Sequence, residues 1–554
     1  MKRIIKASLV ASIALSGVQA SSLSAKLSSL EAELADLKKQ VKKQNKKLNK
    51  VKAHDANDNI KWSVDYRTAV DKISYDMADG TTRDKKALFT NRLWLNMEFA
   101  PDNQNVFKGQ LSMNKAFGAD FGETPDPSLN PFGMRGAGFD TFDWITNEAL
   151  RDGRVSVRQA YWLYLGEKFL GADIPWTFSL GRRPSTNGFL ANLRDDDPAQ
   201  SPLGHIINVE FDGLSSKLDL SNITGVPGMS FKVCMGLGST NATPRLGNLS
   251  STDYATDDNA LEDTQLAGFI FEPYNDGQYI VKTTAFKAFN MPGFDPQAFG
   301  TAFAGQEASF SQNGNMLGAA ISVMVDGLGD DGILADTKVF GSFAWSKTDP
   351  DGNGYMLGLP AGALGPQAFG AAAGEAKSGT SYWVGAQVPV TEKGVFGLEY
   401  NHGSQYWRPF TYAEDTLGGS KLATRGDAYE AYFTYQLTDA LSAQVRYTKM
   451  NYDYTGSNGF FGAGGTPLDI DALKNGPYGQ AAAAWSQLGG TSDIAGSAQT
   501  VYANLAQSQN MDPTDPATQA ALMPQVQGMG QAKGLLGSIV DEAQDIRFYI
   551  RYRF

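Results

Sequence analysis

The last eleven residues constrain the fold more than any other stretch of the chain. From Gln544 to Phe554 apolar and cationic or aromatic side chains alternate without a break, with Ile546, Phe548, Ile550, Tyr552 and Phe554 at every second position and Arg547, Tyr549, Arg551 and Arg553 between them. Because successive side chains of a β-strand point to opposite faces, this period of two predicts a strand with one apolar face and one cationic face. The apolar face then needs a second sheet or a lipid against it.

The amino terminus indicates export. Residues 1–20 combine a basic start, an apolar run from Ala7 to Leu15 and a small residue at position 20, which is typical of a signal peptide cut after Ala20. No later run reaches the roughly 18 apolar residues that a membrane-spanning helix needs. If the chain enters a membrane, we therefore expect it to do so as a β-barrel.

Alternation with a period of two begins at Ile60 and recurs to the end of the chain. Short turns join pairs of such segments, and longer connections separate one pair from the next, as in outer-membrane barrels. An even strand number would leave both chain ends in the periplasm; fourteen and eighteen strands stay as alternatives to sixteen. The sixteen predicted strands cover about 60–75, 87–99, 106–118, 153–166, 175–183, 205–220, 230–238, 263–273, 278–289, 315–326, 335–347, 379–390, 394–406, 426–437, 440–454 and 544–554.

Two features interrupt the ladder. In the sixth predicted strand the apolar positions change parity between Phe211 and Leu218, across Asp212-Gly213, which predicts a β-bulge. The longest connection, residues 455–543, is rich in Ala, Gln and Gly, and its two Asp-Pro pairs are typical of helix starts. We expect short helices there, which cap the mouth of the barrel or form a contact surface.

The spacing of apolar residues predicts a periplasmic coiled coil over residues 21–54. Apolar residues from Leu23 to Val51 follow a 4-3-4-3 spacing over about four heptads, and residues 55–59 read as a hinge. A coiled coil needs partner copies; the seam does not separate two strands from three, and a homotrimer is the expectation because porins are commonly trimeric. The lysines from Lys38 to Lys52 form a solvated face or contact an anionic layer such as the cell wall.

Composition and charge narrow the function classes. The chain is 42% hydrophobic, with 60 Gly, 22 Tyr and 31 Phe, which fits many short strands with aromatic ends. Its formal charge is −11, and because residues 1–54 are basic the remainder carries about −20, so nucleic acid is not an expected partner. The single cysteine, Cys234, is expected as an unpaired thiol on a strand.

If apolar side chains face lipid, the alternate positions face the lumen. Strand sixteen would lie beside strand one, so cations from the last strand and from the first five strands would form one basic wall with Asp65 and Glu98 as its only acids. The predicted pore-lining residues are Lys61, Arg67, Arg92, Lys108, Arg154, Arg158, Arg183, Arg547, Arg551 and Arg553. The alternative is that each arginine pairs locally with an acid and only keeps the lumen wet.

The third long connection carries Asp195, Asp196 and Asp197. The architecture resembles that of general porins, whose third loop folds into the barrel and sets acids opposite an arginine ladder. That resemblance implies a constriction with a transverse field, which admits small polar solutes. From the basic wall we expect a modest anion preference.

A segment of the sixth long connection resembles the start of a calcium loop. Asp349, Asp351 and Asn353 offer oxygen ligands at alternate positions, followed by a glycine. The acidic residue expected at the twelfth position is Pro360 instead. A weakly bound calcium ion and a plain Asp/Gly turn are the two interpretations; no other cofactor is expected.

Several stretches carry a family resemblance: HDANDNIKW at 54–62, MADG at 77–80, NRLWLNM at 91–97 and NKAFG at 114–118. With them the chain resembles a little-characterised family of porin-like outer-membrane proteins of epsilon-type proteobacteria, which join a coiled-coil arm to a barrel. The arm is also similar to the periplasmic coiled coil of sucrose-type porins. The terminal aromatic residue, Phe554, resembles the signal that the barrel assembly machinery reads in outer-membrane proteins.

These observations favour a porin in the bacterial outer membrane, in contact with its lipid. An enzyme is not expected, because the three histidines, His54, His205 and His402, stand in no recognisable catalytic motif. The alternative is an adhesin or an envelope-anchoring barrel with a closed pore, which the large acidic loops would suit.

Overall fold

A computed structural model describes residues 60–118, 150, 153–240, 243–246, 253–256, 261–294, 310–364, 367–411, 416–459 and 461–554. The predicted signal peptide (1–20), coiled coil (21–54) and hinge (55–59) lie outside the described residues. Lys61–Glu98 and Gln104–Phe554 form one compact unit.

Sixteen strands of this unit make one closed antiparallel sheet. Each strand pairs with the next one along the chain, and the last pairs with the first, so the predicted sixteen-stranded barrel is confirmed. The strands are β1 Lys61–Met77, β2 Thr82–Phe99, β3 Asn105–Ala116, β4 Ser156–Gly166, β5 Trp176–Pro184, β6 Glu210–Asp219, β7 Ser230–Leu237, β8 Gln265–Asn275, β9 Tyr279–Phe294, β10 Phe310–Asp326, β11 Lys338–Pro350, β12 Ser378–Thr391, β13 Gly394–Gly403, β14 Gly426–Gln436, β15 Leu441–Tyr452 and β16 Val540–Arg553.

The two faces of β16 differ as the alternation predicts. Ile546 and Phe548 point outward and are 46% and 43% exposed, whereas Arg547 and Arg551 point into the lumen and are 1% exposed. Nearly all of the remaining strands also carry a large apolar side chain on the outer face. Examples are Tyr66, Phe89, Phe107, Trp162, Leu180, Val233, Phe269, Ile321, Phe343, Tyr382, Leu398, Tyr429 and Val445.

The closure between β16 and β1 reaches the last residue. The Phe554 amide donates to the Val64 carbonyl at 3.1 Å, and the Val64 amide donates to the Phe554 carbonyl at 2.9 Å. Further along the same ladder Arg551 pairs with Arg67 and Arg547 with Asp71. The terminal aromatic residue therefore continues the last seam of the barrel.

Two local predictions were wrong. The connection from β1 to β2 is a four-residue turn, because β2 begins at Thr82 and not near residue 87. The register of β6 runs unbroken through Asp212 and Gly213, so the predicted bulge is absent there. Phe211 is 8% exposed and faces inward, and the assumption that every apolar residue faces outward produced the false change of parity.

Helices occupy the longest connection, as expected. After the single turn α1 (Ser221–Thr224), the chain forms α2 Ile470–Asn475, α3 Pro477–Gln487, α4 Ile494–Ser508 and α5 Pro516–Leu536. Side chains of Asp469, Asp493 and Asp515 accept hydrogen bonds from the first turns of α2, α4 and α5. Such aspartate caps satisfy amide groups that a helix leaves unpaired at its start. Among the described residues, no helix is long and apolar enough to cross a membrane.

The helical segment docks on the turn between β1 and β2. Leu535 and Leu536 belong to an apolar cluster that includes Ala78 in this turn. The Lys533 ammonium lies 2.7 Å from the Asp79 carboxylate, and both side chains are at most 10% exposed. Burial opposes ionisation of Asp79, but hydrogen bonds from Lys533 and Thr81 outweigh it and hold the pKa of this carboxyl below its usual value.

We expect Lys533→Gln to loosen the helical segment without opening the barrel. The variant loses a charge-assisted hydrogen bond of roughly 2 kcal/mol. Because the Asp79 pKa is lowered, the contact stabilises the protein fully above the usual aspartate value of 3.8 and is lost as the pH falls through the folded-state pKa. Limited proteolysis measures both effects: cleavage within α2–α5 should rise in the variant at pH 7 and in the unchanged chain only below about pH 4.

Lys393→Gln is the matched control, because Lys393 lies exposed in a strand turn remote from α5. Equal cleavage of Lys533→Gln and Lys393→Gln at pH 7 would show that the Asp79 contact does not hold the helices.

Candidate functional site

The connection between β5 and β6 folds into the lumen. We call residues 185–209 the lumenal insert; they include the predicted third loop. Leu190, Leu203 and Ile206 within it are 0% exposed. A short parallel pairing between Gly188–Phe189 and Gln200–Leu203 holds its two arms together. The insert is thus a packed element inside the barrel.

Small residues and strained backbone let the arms of the insert come together. A Cβ atom on Gly188 would lie 2.4 Å from the Pro202 carbonyl oxygen, so any larger residue would force the arms apart. Asn187, Leu190 and Asp196 have φ values of 54°, 76° and 51°, which makes three of the six non-glycine positive φ angles in the described part of the chain. Each costs of order 1 kcal/mol or more, so surrounding contacts must hold the backbone in place.

The tip of the insert docks on the arginine-rich wall. The Asp195 carboxylate lies 3.4 Å from Arg194, 3.6 Å from Arg67 and 3.9 Å from Arg446, and it accepts a 3.1 Å hydrogen bond from the Tyr549 hydroxyl. Burial would raise the pKa of Asp195, but the surrounding guanidinium groups, of which Arg194 acts most strongly, hold it well below its usual range. Asp195 is therefore ionised and held from both sides.

Asp196 and Asp197 also contact arginines of the wall, but Asp197 is buried and Asp196 is exposed. Asp197 is buried and its carboxylate accepts a hydrogen bond from Arg551. The Asp196 side chain is 82% exposed and lies 2.8 Å from Arg553. The structure thus brings the predicted constriction acids and the arginines of β1 and β16 into direct contact, and no gap separates them.

Acids on the strands neutralise the same wall. Arg547 donates to Asp71 at 2.8 Å, and Arg551 donates to Asp65 at 2.8 Å. Asp71 follows Asp65 at the same parity of β1, so the alternation could have identified it as lumenal. A buried arginine is tolerated because such a carboxylate compensates its charge.

Glu210 compensates a second group of arginines. Its carboxylate lies 3.0 Å from Arg158 and 3.6 Å from Arg182, and it is 1% exposed. The guanidinium groups of Arg92 and Arg158 lie over the ring of Trp94 at 3.6 and 4.4 Å. Glu210 is the first residue of β6, directly after the insert, and the alternation of apolar and polar residues did not predict that it faces the arginines.

The remaining predicted wall residues lie apart from this network. Lys61 is exposed at the start of β1, and Arg154 is exposed ahead of β4. Lys108 pairs with Glu98 at 3.1 Å. Arg183 points down the inside of β5, over the ring of Tyr161 at 4.8 Å. The predicted wall is therefore divided into a compensated arginine network and separate cations at other heights.

The far side of the insert packs into an apolar core, which the sequence did not reveal. Phe189 and Ile206 join a cluster with inward side chains of β9 to β12, such as Phe286, Met316 and Phe340. Lumens of water-filled barrels are usually polar, so an apolar core there was not expected from the sequence. The insert therefore bridges two unlike walls.

His205 fastens the insert to β11 and β12. Its ring nitrogens lie 2.8 Å from the Ser342 hydroxyl and 2.9 Å from the Ser381 hydroxyl, and the residue is 0% exposed. Burial lowers the pKa of His205 to about 3, so the ring is neutral at ordinary pH. This environment gives His205 a structural role.

The connection between β13 and β14 also enters the lumen. Trp407 and Phe410 are 0% exposed, and Phe410 bridges to Ile207 of the insert. Lys421 contacts the carboxylates of Glu399 and Glu430. Residues 412–415 of this connection lie outside the described part of the chain.

A cavity of about 470 Å³ lies between the insert and β1 to β4, at the end of the barrel where β1 starts and β16 finishes. Arg158 and Arg553 bring positive charge to its lining, and Asp65 and Asp197 bring negative charge. Most of its other polar lining groups are amides: Asn96, Gln110, Gln159, Asn187 and Gln200. The cavity thus offers balanced charge and many neutral hydrogen-bonding groups.

The predicted calcium ligands lie at the end of β11 and in the turn that follows it. Asp349 lies 3.4 Å from the Lys287 ammonium, and Asp351 and Asn353 are exposed. Within the described residues, no group of three or more His, Cys, Asp or Glu side chains could share a metal ion. The calcium site stays a prediction.

Comparison with known proteins gives a family and a set of similar folds. The family model described as "Protein of unknown function (DUF3373)" matches residues 82–490. A search of curated proteins finds no significant match. Three similar solved structures are in-vitro folded OmpT, an outer membrane protein of Vibrio cholerae (10% identity, TM-score 0.38, 89% of this chain and 97% of that chain), OmpF of Salmonella typhi in complex with daunomycin (12%, 0.39, 90% and 99%) and OprB of Pseudomonas putida at high pH (12%, 0.42, 91% and 96%).

We expect the double variant Asp195→Asn/Asp197→Asn to destabilise the folded insert. Arg67 and Arg551 would stay buried with less compensation, and breaking a buried ion pair from one side costs about 3 kcal/mol or more. Urea unfolding of the detergent-solubilised protein, followed by tryptophan fluorescence, measures the loss.

Asp196→Asn is the control within the same tip, since its exposed pair with Arg553 is worth about 0.5 kcal/mol. A double variant as stable as Asp196→Asn would contradict the assignment of the buried acids as anchors.

Proposed function

Because the chain belongs to the family described as "Protein of unknown function (DUF3373)", whose description states no activity, we propose a function from the barrel itself. The proposal is a porin of the bacterial outer membrane that lets small hydrophilic solutes diffuse through a lumen narrowed by the lumenal insert.

The outer surface supports the membrane location. Exposed apolar and aromatic side chains such as Phe343, Leu398 and Phe548 cover the outside of the barrel, while the arginines Arg547 and Arg551 of β16 point inward. A barrel leaves no strand edge unpaired, which a hydrocarbon environment requires. With β1 starting in the periplasm, the helices α2–α5 would lie on the cell surface.

The observation that carries the pore is the cavity between the insert and β1 to β4. It holds about 470 Å³ and is lined by amides and charges of both signs. Polar groups of this kind replace the hydration of a neutral polar solute. The insert fills the middle of the lumen, so the path suits small solutes and excludes large ones.

The arginine network supports little ion selectivity. Asp65, Asp71, Asp195, Asp197 and Glu210 lie against its guanidinium groups. Such pairs cancel most of the field that a bare basic wall would produce. We therefore propose only a modest anion preference.

The remaining expectations from the sequence belong to the same proposal. The chain would be a passive, non-catalytic pore that forms a homotrimer through its coiled coil and contacts outer-membrane lipid. The barrel assembly machinery would read Phe554, and the Lys-rich arm would reach the cell wall. Calcium at Asp349, Asp351 and Asn353 would bind weakly.

A second candidate is an envelope-anchoring barrel or adhesin with a closed pore. The apolar core between the insert and β9 to β12 favours it, since packed side chains occupy most of that side of the lumen. The two candidates differ in one measurable property, the flux of small solutes.

Liposome swelling with the purified full chain tests the proposal. We expect size-dependent flux of small sugars, and reversal potentials in planar bilayers with a weak preference for chloride over potassium. Asp195→Asn/Asp197→Asn should pass larger sugars than the unchanged chain, because its insert is less firmly held, whereas Asp196→Asn should not.

Absence of flux in the unchanged chain and in both variants would overturn the porin and favour the closed barrel. A clear cation preference would contradict the proposed anion preference but not the proposed porin function.

A further inference from the structure

A second group of cations lines the lumen on β5 to β9, away from the arginine network. Lys217 of β6 stands directly opposite Lys232 of β7 in the strand register. Ser215, two residues before Lys217, is 4% exposed and Lys232 is 8% exposed, which places both lysines on the inner face. Arg183 of β5, which contacts Ser215, and Lys282 of β9, which contacts Phe189 of the lumenal insert, complete the group on the inner face.

Three of these cations, Arg183, Lys232 and Lys282, contact neutral groups. The Lys232 ammonium donates to the Ser201 hydroxyl of the lumenal insert at 2.6 Å. Arg183 donates to the hydroxyls of Ser179 and Ser215. Lys282 lies 4.8 Å from the centre of the Phe189 ring. Hydroxyls and a ring orient the cations but do not cancel their charge.

Carboxylates are scarce around this group. Glu272 lies 3.8 Å from Lys282, and in the described part of the chain it is the one carboxylate within ion-pairing distance of any of the four cations. Asp219, two residues after Lys217, accepts hydrogen bonds from Ser221 at 2.6 and 3.0 Å and lies within electrostatic range of Lys217, but not in direct contact with it. Among the described residues, three of the four positive charges therefore have no carboxylate in direct contact, unlike those of the arginine network.

A small cavity lies beside two of these cations, Arg183 and Lys232. It holds about 40 Å³, and Arg183 and Lys232 are the two cations that line it. Its other polar side chains are Ser185, Ser201, Ser215, Cys234 and Thr284, the rest of its lining is apolar, and no carboxylate is among the residues that line it. A buried water needs roughly 10–15 Å³ of such space. The cavity is thus large enough for a small anion, and its donors are cations and hydroxyls.

We propose that Arg183, Lys217, Lys232 and Lys282 form a binding site for a small anion, of the size of a halide or of the carboxylate group of an organic acid. Cations held near one another without carboxylates repel each other, and an anion between them relieves that repulsion. The lumen location makes it a stopping point for a permeating anion; that part rests on the proposed porin function, whereas binding does not.

Crystals of the full chain soaked in sodium bromide test binding directly. We expect an anomalous peak within contact distance of the Lys232 ammonium, and its loss in Lys217→Gln. The control is Lys347→Gln, which removes a lysine from the outer face of β11. No peak in the unchanged chain, or an equal peak in Lys217→Gln, would overturn the site.

Cys234 provides a second readout in solution, because it is the one cysteine of the chain and lines the same cavity. We expect an anionic methanethiosulfonate to modify it at least about tenfold faster than a cationic one of matched size, since the local potential attracts the first and repels the second. Lys217→Gln should reduce this ratio roughly threefold, and Lys347→Gln should not change it.

Equal rates for the two reagents would overturn the site, and if neither reagent reacts, the bromide experiment decides. Both measurements use detergent-solubilised protein and require no flux. Sugar flux without an anion site would leave the porin standing, and an anion site without flux would leave the site in a closed barrel.

Discussion

Buried pairs between arginines and carboxylates hold the described barrel together at its last seam. Arg547 with Asp71 and Arg551 with Asp65 join β16 to β1, and Arg551 also contacts Asp197 of the insert. A buried guanidinium group is tolerated only when such partners replace its water. The same contacts therefore close the sheet, position the lumenal insert and fix which part of the lumen stays open.

The fold could be predicted from the sequence because a barrel wall is a local pattern. Each strand needs only an apolar outer face at every second residue, and β16 shows it without interruption from Ile546 to Phe554. The helices of the longest connection could also be predicted from a local pattern, since their Asp caps and Asp-Pro starts lie within a few residues of one another. Features that depend only on residues close together in the chain could therefore be predicted from the sequence.

The interior could not be predicted in the same way. Arg547 and Asp71 are 476 residues apart, so their contact depends on closure of the whole sheet. Phe211 was assigned to the lipid face because an apolar lumenal wall has the same local pattern as an apolar outer wall. Only the folded insert, with Phe189 and Ile206 against β9 to β12, makes an inward apolar residue favourable. The sequence therefore predicted the three acids of the insert and the arginines of β1 and β16, but not Asp71, Glu210 or the apolar packing.

Cations in this lumen have two roles, and which role a cation has depends on whether a carboxylate lies beside it. An arginine with a carboxylate at 2.8 Å has little remaining field, so the network of β1 and β16 stabilises the structure more than it acts on solutes. Lys217 and Lys232 stand opposite each other on β6 and β7, and Lys232 donates to the Ser201 hydroxyl, so its charge acts on the cavity that it lines. A basic residue in a barrel strand therefore indicates selectivity only when no carboxylate lies beside it. Sequence alternation identifies the inward cation, but only the folded chain reveals its partner.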